Sequence, residues 1–254
     1  MMPAAADDAT WSVYWTQKAD TPRADWEDGC AYSPSTGWFA VADGASSGVR
    51  SREWAFHLTR SFVEAARRDA FADALDVDRF IAWTQCARAS FDSDSAEYKS
   101  FDVPEWIHQA ALQKGAFATF LGGHLSAAGW RVVAVGDCCL FHVSGDTVTT
   151  FPLRPGHDPA TAPMLVTSVA VDDIRLAAHS TAASGRLAAG DTLFVTSDAL
   201  AAWLLAEVEH PATWTALRKI GSDGFDLLCR DLRAAELLKN DDVTMLRFVT
   251  GGSN

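Results

Sequence analysis

Four places along this 254-residue chain set a carboxylate at the end of a strand-like run, and acids placed that way can converge to hold cations. Asp43 follows the apolar run Trp38 to Ala42 and opens the turn Asp43-Gly44-Ala45-Ser46-Ser47-Gly48, while Asp198 follows Leu193 to Ser197. Glu27 and Asp28 instead precede the run Gly29 to Ser33, and Asp241 and Asp242 precede Val243 to Val249. In an antiparallel sheet the C-terminus of one strand lies beside the N-terminus of its neighbour, so all four places can share one edge. Crowded carboxylates repel and raise one another's pKa unless a cation neutralises them. An all-oxygen set with no His or Cys close by favours Mg²⁺ or Mn²⁺ over zinc. A single Asp at a strand end is ordinary turn or cap chemistry; the fourfold recurrence is what points to a metal site.

The elements that must carry these acids are legible as changes of hydrophobic period. Gly29 to Ser33 and Trp38 to Ala42 read as a hairpin around Pro34-Ser35-Thr36-Gly37. From Ser47 the period becomes helical, with Trp54, Leu58, Phe62 and Ala66 on one stripe; a second amphipathic stretch carries Phe80, Trp83, Thr84, Ala87 and Phe91. Four strands follow, Ala116 to Gly122, Trp130 to Val135, Cys139 to Val143 and Thr147 to Phe151, joined by short turns that imply antiparallel neighbours. The Pro-rich and polar stretch Pro152 to Ser184, around the apolar piece Met164 to Val171, reads as a flap-like excursion. A buried strand Leu193 to Thr196, helices at Ala199 to Val208 and Asp223 to Leu238, and a last strand Val243 to Val249 complete the chain. Strands early, middle and late with clustered helices predict an α+β fold of antiparallel sheet covered by helices. Neither GxGxxG nor GxxxxGK[ST] occurs, which disfavours nucleotide binding through such loops.

With 48% hydrophobic and 11% aromatic residues and no linker-like tract, the chain is expected to form one domain over residues 1–254. A formal net charge of -12 argues against nucleic acid or an anionic membrane as partner. Met1 to Thr10 does not read as a signal peptide and no apolar run is long enough to span a bilayer, so the expected location is cytoplasmic. The five cysteines show no zinc spacing and read as packed thiols. Seven histidines show no HExxH or close pairing, the ten tryptophans read mostly as core, and the arginines of the first helix, Arg50, Arg52, Arg60, Arg67 and Arg68, read as a solvated face.

Five stretches match a family pattern in order. Arg23-Ala24-Asp25-Trp26-Glu27-Asp28-Gly29 places an acid pair four and five residues after an Arg; Phe39-Ala40-Val41-Ala42-Asp43-Gly44 is a hydrophobic strand ending in Asp-Gly. Ala118-Thr119 with Val133-Ala134-Val135-Gly136-Asp137, then Thr192-Leu193-Phe194-Val195-Thr196-Ser197-Asp198, then Asn240-Asp241-Asp242-Val243-Thr244 complete the series. The chain thereby resembles the type 2C (PPM) metal-dependent protein serine/threonine phosphatases, and in the wording of its central motifs a bacterial subset of them.

The resemblance implies a four-layer α/β/β/α sandwich and hydrolysis of phosphoserine and phosphothreonine by a water activated between two Mn²⁺ or Mg²⁺ ions. It implies that Asp43 bridges the ions, that Asp198 and Asp241 complete one site, and that the Gly44 carbonyl and Glu27 serve the other. Asp28 would orient metal-bound water and Arg23 would grip the phosphate. Asp137 is left with a structural role. The implied partner is a phosphorylated protein, with a cognate kinase or a von Willebrand-type protein as a further partner. Three departures stand out: Ala45 replaces the His of some members, Ala199 the usual Gly, and no acid stands near Gln113 or Lys114, where a third-metal Asp is expected. The alternative reading is a pseudophosphatase, a regulatory binding module that keeps the fold without turnover.

Overall fold

An apolar run with no polar alternation belongs to a strand covered on both faces, and Trp38–Ala42, here β3, is such a strand, with all five residues buried. The computed structural model describes residues 9–45, 50–68, 70–71, 74–95, 115–157, 162–169 and 173–251. Before β3 come β1 (Thr10–Thr16) and β2 (Gly29–Ser33). β2 and β3 form the expected hairpin, closed by the Gly37 amide on the Ser33 carbonyl at 2.8 Å with Gly37 at φ 74°. The chain continues through α1 (Ser51–Arg67), α2 (Val77–Ser95), β4 (Phe117–Ala118), β5 (Phe120–Ser126), β6 (Gly129–Val135), β7 (Cys139–Ser144) and β8 (Thr147–Phe151). It ends with β9 (Val166–Thr167), α3 (Asp173–His179), β10 (Thr181–Gly185), β11 (Thr192–Thr196), α4 (Asp198–Ala206), α5 (Pro211–Lys219), α6 (Ser222–Ala234) and β12 (Val243–Val249).

Two five-stranded antiparallel sheets result, ordered β10-β6-β5-β3-β2 and β1-β12-β11-β7-β8, with β4 and β9 as a small separate pair. Three apolar cores define the layering. Trp54, Leu58, Phe62 and Phe80 of α1 and α2 pack on Phe120 and Val133 of the first sheet. Leu200, Trp214 and Phe225 of α4, α5 and α6 pack on Phe141, Phe194 and Met245 of the second. Phe39, Val41 and Leu121 meet Leu140, Val195 and Leu246 between the sheets. These cores are the α/β/β/α sandwich, and each fully buried Leu or Phe contributes roughly 1.5–3 kcal/mol of apolar burial.

Some elements differ from expectation. β1, an edge strand paired to β12, is absent from the sequence reading although Trp11, Val13 and Trp15 alternate with Thr10, Ser12, Tyr14 and Thr16 at strand period. α5 is announced only by Pro211 at its first turn. The single strand expected over Ala116 to Gly122 divides at Thr119, whose amide turns aside to the Asp43 carbonyl at 2.9 Å. The first helix, expected from Ser47, begins at Ser51; positions 46–49 lie outside the described residues.

The stretch 152–184 is no free excursion in its described parts. The Trp54 indole donates to the Val166 carbonyl at 2.9 Å, and the buried Arg88 guanidinium reaches the Thr167 carbonyl at 3.0 Å and Asp173 at 2.7 Å. β10 then adds an edge to the first sheet. Polar composition hid this, although backbone carbonyls, one buried charge and the buried side chains of Val166 and Leu176 hold the segment to the first core.

Candidate functional site

One end of the sandwich collects five loops. Gly29 pairs with Ala42, so Asp28, before β2, and Asp43, after β3, stand side by side. Thr196 pairs with Met245, and the Ser197 amide donates to the Thr244 carbonyl at 3.1 Å while the Thr244 amide donates to Ser197 Oγ at 2.9 Å. That exchange brings Asp198, after β11, to Asp241 and Asp242, before β12. Between the sheets the chain crosses from β6 to β7 through Gly136-Asp137-Cys138, and Gly136 takes φ 92° with a phantom Cβ only 2.6 Å from Thr119 Cγ2, a place open only to glycine. The loop after β1 supplies Lys18.

Close backbone packing sets Gly44. A Cβ there would lie 2.8 Å from the Glu27 carbonyl oxygen and 2.9 Å from the carbonyl of Ser51, the first residue of α1. Gly44 also bridges to Ala118, and the Ala45 amide donates to the Phe117 carbonyl at 2.9 Å. The turn after Asp43 is therefore fastened on both sides as far as Ala45.

Asp242 fastens the acid-bearing loops to one another. Fully enclosed, it accepts the Lys18 amide on Oδ1 at 2.9 Å and the Glu27 amide on Oδ2 at 2.8 Å, while Asn240 Oδ1 accepts the Ala19 amide at 2.7 Å.

Electrostatics divides the acids. Asp28 is fully buried and neither of its carboxylate oxygens has a hydrogen-bond partner among the described residues. Burial, with the charges of Asp242 and Asp198, pushes its pKa up to about 7, although the nearby hydroxyls of Thr244 and Ser197 pull the other way without hydrogen bonds of normal geometry. Asp43 is raised well above the usual carboxylate range by burial and by the charges of Asp28, Asp198, Asp137 and Asp241. Asp137 is raised to about 6 by burial and Asp198, and its Oδ1 is buried without a partner. Five acids from five separate loops thus act on one another, as carboxylates sharing one site must.

Two lysines treat the remaining acids differently. Lys18 Nζ lies 3.1 Å from Glu27 Oε2 and 3.0 Å from Asp241 Oδ1; Lys239 Nζ lies 2.6 Å from Asp241 Oδ2 and 3.3 Å from Asp198 Oδ2. Burial works to raise the Asp241 pKa, but the two ammonium groups outweigh it and hold that carboxyl below its usual range. Among the described residues, no three His, Cys, Asp or Glu side chains are arranged to hold a metal ion as they stand. The donor set nonetheless fits hard divalent ions, because it is all oxygen and its buried atoms at Asp28 and Asp137 lack any other partner.

Arg23 sits in a single 3₁₀ turn (Arg23–Asp25), exposed, with its guanidinium 4.1 Å above the Trp15 ring. Trp15 stacks on Trp26 at 4.6 Å, and Trp26 meets Phe56 edge-on at 5.5 Å. Trp15, backed by Trp26, thus props an arginine in addition to packing.

The structure brings Glu27, Asp28, Asp43, Gly44, Asp198 and Asp241 to one place, while Arg23 stands on the same loop as Glu27 and Asp28 and stacks on Trp15. Sequence reasoning missed Lys18 and Lys239 and set Asp137 aside, although the turn Val135-Gly136-Asp137 was the available signal for the last. Gln113 and Lys114, the region of a third-metal acid, lie outside the described residues. Burial pushes the thiols of Cys30 and Cys139 up to about 12, which leaves neither as a nucleophile near neutral pH.

No protein-family model and no curated protein matches this chain by sequence. Solved structures do match it by shape. A bacterial serine phosphatase superposes with a TM-score of 0.64 at 13% identity, covering 96% of this chain and 98% of that one. The serine/threonine phosphatase PstP/Ppp of Mycobacterium tuberculosis gives 0.58 at 14% identity over 96% and 99%. The catalytic domain of PstP in complex with two manganese ions gives 0.53 at 15% identity over 95% and 98%. The chain has the fold of these phosphatases from end to end.

Proposed function

We propose that this protein is a metal-dependent phosphoprotein phosphatase that hydrolyses phosphoserine and phosphothreonine. The observation that carries this reading is the meeting of Asp28, Asp43, Asp137, Asp198 and Asp241, from five loops, at one end of a sandwich with a phosphatase fold. Asp43, Asp198, Asp241, Glu27 and the Gly44 carbonyl would hold two Mn²⁺ or Mg²⁺ ions. When bound, such ions supply an activated water and neutralise phosphate charge.

The chain's own groups supply the rest. Arg23, propped on Trp15, grips the phosphate through the paired donors of its planar guanidinium. Asp28, whose carboxylate oxygens have no other hydrogen-bond partner among the described residues, would orient the water that the ions activate. No side-chain nucleophile is needed, in keeping with the raised thiols nearby.

The test is turnover of an aryl phosphate with Mn²⁺. Activity that a chelator and Asp43→Asn both abolish supports the reading; a well-folded protein that binds phosphopeptide without ever turning it over selects the pseudophosphatase instead. A phosphoserine and phosphothreonine peptide panel then sets the substrate class. The proposed partners beyond substrate are a cognate kinase or a von Willebrand-type protein, for which capture by the purified chain is the check.

A further inference from the structure

Each acid of the outer half of the site ends on an ammonium group. Asp241 is held on both sides, Oδ1 by Lys18 at 3.0 Å and Oδ2 by Lys239 at 2.6 Å. The same two nitrogens reach Glu27 at 3.1 Å and Asp198 at 3.3 Å. These are three of the side chains that a pair of divalent ions would require. An ammonium and a divalent ion cannot occupy one carboxylate face together, since like charges a few ångströms apart repel by several kcal/mol even at an intermediate effective dielectric.

The two lysines are built differently. Lys239 stands on the exposed turn before β12, its side chain 65% accessible, with its own carbonyl taking the Asp241 amide at 2.9 Å. Its flexible four-carbon stem can swing into solvent at little cost. Lys18 is more enclosed, 23% accessible, and its backbone is pinned, its amide donating to Asp242 and its carbonyl accepting the Thr21 hydroxyl at 2.9 Å. Asp28, Asp43 and Asp137 receive no such cation among the described residues.

We infer that Lys239 and Lys18 are tethered counter-cations, occupying the Asp198–Asp241–Glu27 side of the centre until a divalent ion displaces them, Lys239 leaving more readily than Lys18. This rests on the reading of the acids as a metal centre. It assigns the two halves different affinities: an ion meets no competitor at Asp43 and an intramolecular one at Asp241.

Calorimetric titration of the full chain with Mn²⁺ alone tests this, with thermal unfolding and circular dichroism as controls for folding. Lys239→Met is expected to tighten the weaker of two Mn²⁺ binding events about tenfold and to widen the rise in melting temperature that Mn²⁺ produces. Lys239→Arg, which keeps the charge, should stay at wild-type affinity or below. Lys18→Met should act in the same direction as Lys239→Met, giving a second variant if either misfolds. Unchanged or weaker Mn²⁺ binding by folded Lys239→Met overturns the inference while leaving the metal centre intact. Absence of Mn²⁺ binding in wild type and all variants overturns both; binding that appears only in the methionine variants supports the counter-cation role most directly.

Discussion

The acids at the end of the sandwich fall into two groups that the fold treats in opposite ways. Asp28 is buried and Asp43 and Asp137 partly so; none makes a salt bridge among the described residues, and all three have raised pKa values. Glu27, Asp198 and Asp241 are partly exposed, and each has a lysine nitrogen within 3.3 Å. A folded chain gains nothing in stability from burying unpaired carboxylates. The inner group is thus the part of the molecule held against its own repulsion, which is the expected mark of a functional site, whereas the outer group is at rest without any ligand.

The largest expected effect separates the two groups by opposite signs. Asp43→Asn replaces a carboxyl whose ionisation burial and four other acids oppose, so the metal-free protein should become more stable while Mn²⁺-dependent turnover falls by on the order of 10³-fold. Asp241→Asn should also lose turnover but should destabilise the metal-free fold slightly, by about 1 kcal/mol or less, since its lysine pairs are partly solvated. Thermal unfolding in chelator, read beside aryl phosphate kinetics, checks both. Equal stability changes of the same sign would dissolve the distinction between inner and outer acids.

The pH dependence of the metal-free protein sharpens the same contrast. Asp28, raised from 3.8 to about 7, and Asp137, raised from 3.8 to about 6, bind protons more readily folded than unfolded. Their contribution to stability is fully present below pH 3.8 and is lost as pH rises through 6 and 7. Asp241, lowered by its lysines, works the other way, its contribution being lost only as pH falls through and below its ordinary value. Metal-free melting temperature should therefore decline from about pH 5 to about pH 8, and Mn²⁺ should flatten that decline by favouring the ionised acids. A melting temperature that rises across the interval would mean that the inner carboxylates are compensated by some other group.

A smaller effect belongs to Arg23. Arg23→Ala should lower kcat/KM for a phosphopeptide about tenfold, equivalent to ~1.4 kcal/mol, mostly through KM, and should leave Mn²⁺ affinity unchanged because Arg23 makes no contact with the acids among the described residues. Steady-state kinetics with a titration of the same preparation checks it, and a change in metal affinity would move Arg23 into the centre itself.

How much of this was legible beforehand depended on whether local pattern or tertiary geometry set each feature. The hairpin of β2 and β3 announced itself through Pro34, Gly37 and an unbroken apolar run, and so did the position of Asp43 at its end. Asp198 and Asp241 could be paired because strand ends alternate in antiparallel sheets. Lys18 and Lys239 carried no such signal: each is one residue among many surface cations, and only the crossing of the loop after β1 with the turn before β12 sets their nitrogens on Asp241. Asp137 was set aside because a Gly-Asp turn is ordinary, and its meaning comes from the crossing between the two sheets. The fastening of the described parts of residues 162–185 through Trp54 and Arg88 was hidden for the same reason, since one buried guanidinium has no periodicity.

The smallest expected effect tests whether a departure in the motif touches the site at all. Ala199 stands where a glycine is usual, and the structure explains why that is tolerated: the residue is no turn but the second of α4, buried against the second sheet's core, one step after Asp198. Its amide is already engaged, donating to Asp198 Oδ1 at 2.5 Å, an interaction that glycine would retain. Ala199→Gly should therefore cost about 1 kcal/mol of stability, from helix propensity and a lost buried methyl, and leave turnover within about twofold. A tenfold gain in kcat, about 1.4 kcal/mol of barrier, would mean instead that the alanine restrains Asp198, and that the outer acids are held back by the backbone as well as by their lysines.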